Sequence, residues 1–295
     1  MRFLDPKNDV AFKKIFGDSR HSNVLISFLN SVLDLSSPIK KITIVKGDQL
    51  PEIEILKETS LDLKAIDELG REFIIEMQVE KQMEFRNRSL YYAAKSYAHQ
   101  IKKSEEYKKL TPVIFLGILD FSLFTGDNFL SQHYFINQQT GNRDITDMEL
   151  NFIELPKFTK TEDKCNNLVD KWIYFLKNAE DLRVIPESVK TEELLVAYET
   201  VEQFAWNESE LDLYEARSRF VASRIDALDT ARIEGMLEGK AEGKAEGKAE
   251  GKAEGKAEGE IIGIKKGMNE ALKKMIEAGI SKKNAIEILQ IKNSH

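Results

Sequence analysis

The chain has a single cysteine, Cys165, so neither an intrachain disulfide nor a cysteine-based metal cluster can form. Only four histidines occur, at positions 21, 99, 133 and 295, without ligand spacing, and a zinc site is not expected. No run of about 18 apolar residues is present, which argues against a membrane span. The first residues, MRFLDPKNDVAFKKIF, mix charge with aromatics and lack the apolar core of a secretory signal. A phosphate-binding glycine loop is also missing: the glycines at 239, 243, 247, 251, 255 and 259 recur with period four, outside any strand–loop–helix setting. A cytoplasmic protein in reducing surroundings is the expectation.

What remains is ordinary globular material, 42% hydrophobic and 32% charged over 295 residues. The net charge of −7 is unevenly spread. Residues 1–120 hold 19 Lys/Arg against 18 Asp/Glu, so the acidity lies in the rest of the chain. A surface for a polyanion therefore has to be local, and the N-terminal part is the better place for it.

Apolar residues at helical spacing predict helices over 7–17 and 22–34, with Phe12 and Phe16 in the core and Ser22 as a cap. The β-branched run at 41–46 predicts a strand. Leu61–Ala65 and Phe73–Glu80 then alternate strictly, and Asp67-Glu68-Leu69-Gly70 supplies turn chemistry, so the pair reads as a hairpin. A long helix is expected over 85–108, followed by a buried strand at 113–119. The order to this point is α-β-β-β-α-β. Another hairpin is expected within 131–156, around Gln138–Arg143, and helices near 160–178, 190–205 and 208–237.

Residues 238–259 repeat Glu-Gly-Lys-Ala. Each glycine weakens a helix by about 1 kcal/mol relative to alanine. Glu stands four residues from Glu and Lys four from Lys, so like charges stack. Small residues four apart nevertheless let two helices approach closely, and both a self-associating rod and a flexible spacer stay open. Beyond the repeat, Ile261, Ile264, Met268, Leu272, Met275 and Ile276 form a helical stripe. Gly279 can stop that helix and Ser281 can cap another, giving a helical hairpin suited to docking or dimer formation.

Asp62 and the Glu76-Met77-Gln78 triplet carry the clearest chemical signal. Pairing across the 67–70 turn brings residue 62 beside residue 76, with Glu76, Gln78 and Glu80 on one strand face. Two adjacent carboxylates resist ionisation unless a positive charge sits between them. A hard divalent cation such as Mg²⁺ or Mn²⁺ meets that need and can activate water toward a phosphate. Two acids on the solvated face of a hairpin would look the same. Arg86 and Arg88 follow the strand closely enough to meet phosphates, while Tyr91, Tyr92 and Tyr97 read mainly as packing. Lys64 shares the Asp62 face, as a second positive group or as an exposed strand lysine. Asp9, after Asn8, reads as a first-turn acid at a helix cap. Glu80 reads as solvated.

These stretches resemble the PD-(D/E)XK nuclease superfamily, with Asp62 at its first acid and Glu76 at its second. Asn8–Gly17, Leu61–Ala65, Phe73–Gln78 and Arg86–Tyr92, in that order, resemble more closely the Rpn family of recombination-promoting nucleases and transposases, over roughly residues 5–120. The resemblance implies an α/β fold. Its restriction-endonuclease-like αβββαβ core would be followed by an additional β-hairpin and a mainly helical C-terminal region. It divides the chain into a nuclease domain at 1–156, a helical region at 157–237, the repeat spacer at 238–259 and the hairpin at 260–295. It further implies metal-dependent cleavage of DNA, linked to recombination or transposition. Asp62, Glu76 and the Met77 carbonyl would hold Mg²⁺ or Mn²⁺, Gln78 would position water, and Arg86, Arg88 and Lys64 would meet nucleic acid; Asp9 would be a further acid of the site as the alternative to its helix-cap role. The superfamily pattern has lysine where Gln78 stands, and glutamine can only orient a water, not lower its pKa by charge. Gln78, the acidic balance and the repeat therefore leave open a non-catalytic interaction scaffold, and the C-terminal helices leave open a homo-oligomer.

Overall fold

The structure, a computed structural model, describes residues 2–45, 62–82, 84–101 and 106–289. Leu61 of the expected hairpin, residue 46 of the first strand, residues 102–105 of the expected long helix and the last six residues lie outside the described residues. The chain divides into two compact units, Met1–Ile225 and Asp226–His295.

In the first unit, α1 (Asp9–Phe16) and α2 (Ser22–Val32) precede β1 (Ile42–Val45), β2 (Leu63–Asp67) and β3 (Glu72–Gln78). Helix α3 (Phe85–His99) leads to β4 (Val113–Leu119), which completes the expected α-β-β-β-α-β order. Strands β5 (Leu130–His133) and β6 (Met148–Glu154) form the expected hairpin, followed by α4 (Leu168–Asn178) and α5 (Glu192–Thr200). One mixed sheet runs β1-β2-β3-β4-β6-β5, with β3–β4 and β4–β6 parallel and the other pairs antiparallel.

Strand alternation sorts the sheet's side chains into two layers. Phe73, Ile75 and Met77 of β3, with Ile114, Leu116 and Ile118 of β4, pack with α1, α2, α4 and α5 around Phe12, Phe16, Phe28, Trp172 and Phe175. Ile74, Val113, Phe115 and Leu119 face the other way, against Phe85 and Ala93 of α3. β4 is buried along its whole length because helices cover both of its faces.

Local chemistry fixes the ends of these elements. Asn8 caps α1 by accepting the Val10 N–H at 2.9 Å. Ser22, expected to cap α2, is instead its first residue. A 3₁₀ turn at Ser19–His21, capped by the Asp18 side chain, runs straight into α2 and leaves Ser22 no cap to make. The β2–β3 turn forms as expected: Gly70 takes φ 81°, and the Asp67 carboxylate accepts the Leu69 and Arg71 N–H groups. Helix α3 ends at His99, short of the expected 108. There Gln100 accepts the Thr111 N–H at 2.8 Å and donates to the Thr111 carbonyl at 3.1 Å, which ties the helix end to the entry of β4.

Helix α6 (Glu208–Glu277) continues through the whole Glu-Gly-Lys-Ala repeat, so the repeat is helical and not a break between helices. It adds residues to a helix already formed on either side, and no new nucleus has to be made. Gly279, at φ 91°, stops α6, and Ser281 caps α7 (Lys282–Ile288), as the pattern predicts. Ala285 of α7 is buried.

Two measurements test this architecture. Trp172→Ala, which removes a ring packed on Phe16, Phe28 and Phe175, is expected to lower unfolding free energy by about 3–5 kcal/mol in urea titration. A loss below about 1 kcal/mol would mean that α4 does not share this core. An added Cβ at Gly247 meets nothing within 4 Å. Gly247→Ala should therefore strengthen the helix by about 1 kcal/mol, seen as slower amide exchange across the repeat.

Candidate active site

The β2–β3 register pairs Leu63 with Ile75, and one residue further along it sets Asp62 beside Glu76. Asp62 occupies the bend just before β2, and its Oδ2 accepts the Met77 N–H at 2.8 Å. The first acid is thereby fixed to the strand that carries the second. Glu76 is only 4% exposed, and its Oε1 is buried without a hydrogen-bond partner.

The other Glu76 oxygen, Oε2, accepts from Gln78 Nε2 at 3.2 Å. Gln78 Oε1 in turn accepts from Arg88 Nη2 at 2.8 Å, and Arg88 Nη1 also donates to Gln82. A guanidinium only donates, so the amide oxygen must face Arg88, and the amide nitrogen is left to face Glu76. Gln78 thus transmits the position of Arg88, on α3, to Glu76.

Burial, and next the charge of Asp62, push the Glu76 carboxyl up to about 8, with Arg88 pulling the other way. Burial also raises the Asp62 carboxyl, opposed by the Met77 N–H and by Lys13. Lys13 reaches to 3.8 Å of Asp62 Oδ1 from α1.

The pair lines a cavity of about 670 Å³. Six acids (Asp5, Asp9, Asp62, Glu76, Glu80 and Glu180) and five bases (Lys7, Lys13, Arg88, Arg217 and Arg224) line the same space, so it is close to electrically balanced. The first turns of α6 form one wall. Asn8 donates to Ser218 Oγ at 2.9 Å, and Tyr214 accepts the Asp5 N–H at 2.9 Å. Arg217 Nε lies 3.0 Å from Asp9 Oδ2 but is not aligned for a hydrogen bond, while Asp9 Oδ1 is buried without a partner.

Of the residues predicted from sequence, Asp62, Glu76, Met77, Gln78 and Arg88 meet at this cavity. Arg86 is exposed elsewhere on α3. Lys64 is drawn to the α3 side, where it pairs with Glu72 at 3.0 Å and donates to Ser96 at 2.9 Å. Glu80, expected to be solvated, is largely covered and pairs with Arg224 at 3.0 Å. Tyr97 is structural, donating to Asp147 at 2.8 Å. The residues that sequence reasoning missed are Lys13, Arg217 and Arg224. Lys13 stands four residues after Asp9 on α1, a spacing that puts both on one helix face. Arg217 and Arg224 are seven apart, on one face of α6.

Among the described residues, no three His, Cys, Asp or Glu side chains form a ready-made metal cage. A two-carboxylate site suits a hard cation that keeps water in its shell.

The family model for PD-(D/E)XK nuclease family transposases matches residues 6–231. The chain belongs to that family. The match runs from the start of α1 through the α6 wall of the cavity, well beyond the αβββαβ core. Membership carries a nuclease-type, transposase-related function. No curated protein and no solved structure matches the chain. Among the described residues no helix is long and apolar enough to cross a membrane.

In chelator, folded Glu76 keeps its proton up to about pH 8, whereas the unfolded chain releases it near the ordinary value of 4.5. Between those values the unfolded state binds fewer protons, so this group's contribution to stability is lost as pH rises. Thermal melts of wild type and Glu76→Gln should therefore diverge from about pH 5 to about pH 8.5, the wild type losing ground. A gap that does not change with pH would contradict the buried, protonated assignment.

Proposed function

We propose that this nuclease-family chain is a metal-dependent endonuclease that hydrolyses phosphodiester bonds in DNA, in a cytoplasmic setting and linked to recombination or transposition. The observation that carries this reading is the unpartnered, buried Oε1 of Glu76 beside Asp62. A polar atom left unpaired under cover is costly unless something binds it. Two crowded carboxyls, one raised by the other, are what a divalent cation relieves.

Asp62, Glu76 and the backbone carbonyl of Met77 would hold Mg²⁺ or Mn²⁺, which would supply Lewis-acid activation of the scissile phosphate and of water. Loading requires Glu76 to release its proton, which Arg88 and Lys13 favour electrostatically. The second amide hydrogen of Gln78 is free to orient an attacking water, while the first holds Glu76. Lys13 provides the positive charge that Gln78 cannot, beside Asp62 and from a different element. Arg88 fixes the amide from behind. Arg86 and Lys64 would meet the nucleic acid only outside the cavity, and Arg88 is the better candidate of the three.

A second reading, a nuclease-like scaffold for protein interaction, is favoured by Gln78 at the lysine position and by the exposed Ile261, Ile262 and Ile264 on α6. Those residues also support a homo-oligomer through the C-terminal helices.

Supercoiled plasmid incubated with Mg²⁺ or Mn²⁺ should be nicked or linearised, with cleavage stopped by chelator. Glu76→Ala and Asp62→Ala should each slow cleavage about 1,000-fold, the several kcal/mol a lost metal represents. Arg88→Ala, which leaves the acids in place, should cost about 10- to 100-fold. No cleavage by folded protein with either metal would leave the scaffold reading standing.

A further inference from the structure

Phe220 is out of place by the rules that organise the rest of the molecule. It belongs to none of the hydrophobic clusters among the described residues, and it is half exposed at 50%. Yet it lines the charged cavity that holds Asp62 and Glu76. The face of α6 that docks on the core is different: Leu211, Tyr214, Ser218, Val221 and Ile225, spaced three and four apart, are half-buried. Docking therefore does not need Phe220.

Two arginines flank the ring. The guanidinium of Arg217 lies 5.1 Å from its centroid and that of Arg224 lies 5.8 Å away. Each is held over the cavity rim by a carboxylate of the core, Arg217 by Asp9 and Arg224 by Glu80. Both keep donors to spare, since a guanidinium carries five N–H groups. The result is a half-exposed aromatic ring with two guanidiniums within 6 Å of its centroid, on the lining of the cavity that holds Asp62 and Glu76.

We propose that Arg217, Phe220 and Arg224 form a stacking platform that takes an unpaired base of a nucleic-acid strand entering the site. Phe220 offers its face to the base, and the two arginines meet the phosphates on either side. The proposal rests on the nuclease reading for the kind of ligand. The aromatic–arginine arrangement sets the strand state. Every base has a π-face to stack, and base–aromatic stacking with flanking arginines is how single strands are gripped without sequence preference. Bases in a duplex are already stacked on one another and present only groove edges and phosphates. A duplex would use the arginines and leave the ring idle.

The test is fluorescence anisotropy of a labelled 20-mer single strand and of the matching duplex, with the full chain in chelator so that nothing is cut. Phe220→Ala should weaken single-strand binding about 5- to 100-fold and change duplex binding less than about twofold. Phe220→Trp should restore single-strand binding, with indole fluorescence quenched on mixing. Phe204→Ala removes another exposed ring, 88% exposed and outside the cavity, and should bind like wild type. Single-strand binding by Phe220→Ala within about twofold of wild type, or an equal loss in Phe204→Ala, overturns the platform. Cleavage of plasmid by wild type together with an unchanged Phe220→Ala affinity would remove the platform and leave the nuclease. Phe220-dependent strand binding without any cleavage would do the reverse.

Discussion

Two carboxyl groups kept side by side under cover repel each other and lose hydration, and the protein around residues 62–78 is arranged to hold Asp62 and Glu76 in that position. The first restraint is a hydrogen bond: Asp62 Oδ2 accepts the Met77 N–H at 2.8 Å, so the acids cannot separate without breaking it. The second is the Arg88–Gln78–Glu76 chain, which places the charge of Arg88 behind the pair. The third is Lys13, which approaches Asp62 from α1. None of these neutralises Glu76 completely, and it stays protonated to about pH 8. The proton relieves the repulsion that burial beside Asp62 would otherwise impose.

The fold makes those restraints meet. β3 carries Glu76 and Gln78 on its α3 face and Met77 on the opposite face, so one strand supplies a buried acid, its orienting amide and a core anchor. Parallel pairing with β4 requires a crossover, and α3 is that crossover, which is why Arg88 arrives beside Gln78. Glu76 stands opposite Gly117 in the β3–β4 register. A Cβ there would come within 3.1 Å of both Phe85 and Phe152, so the glycine lets the first turn of α3 close onto the sheet. Small residue, aromatic lid and arginine are three parts of one packing solution.

Much of this was legible from local pattern. Strict alternation over 73–80, the Asp67–Gly70 turn and the hairpin arithmetic that joins 62 to 76 are short-range features, and the structure has the turn, the hairpin and a strand at Glu72–Gln78. So were the Asn8 cap and the Gly279 stop, each set by a single residue's stereochemistry. What sequence reading missed depends on long-range geometry. Asn8 meets Ser218 across 210 positions, and Arg224 meets Glu80 from the far end of the first unit. Glu80 looked solvated because nothing near it in sequence announces a partner. Helix α3 looked longer than it is because its end is decided by Thr111, beyond the segment that periodicity describes. The repeat stayed open between a helical rod and a flexible spacer because glycine cost is weighed locally, whereas a helix that is already nucleated propagates at a lower threshold.

A chain with net charge −7 has no general attraction for a polyanion, and its cavity carries six acids against five bases. The balance nevertheless turns on very few charges. With Glu76 protonated the lining is already even, five acids against five bases. Arginine, not lysine, occupies the positions behind and above the acids, at 88, 217 and 224. Its fixed charge and forked donors let it hold a carboxylate with one edge and meet a phosphate with another. The core acids Asp9 and Glu80 hold Arg217 and Arg224 at the cavity through such pairs.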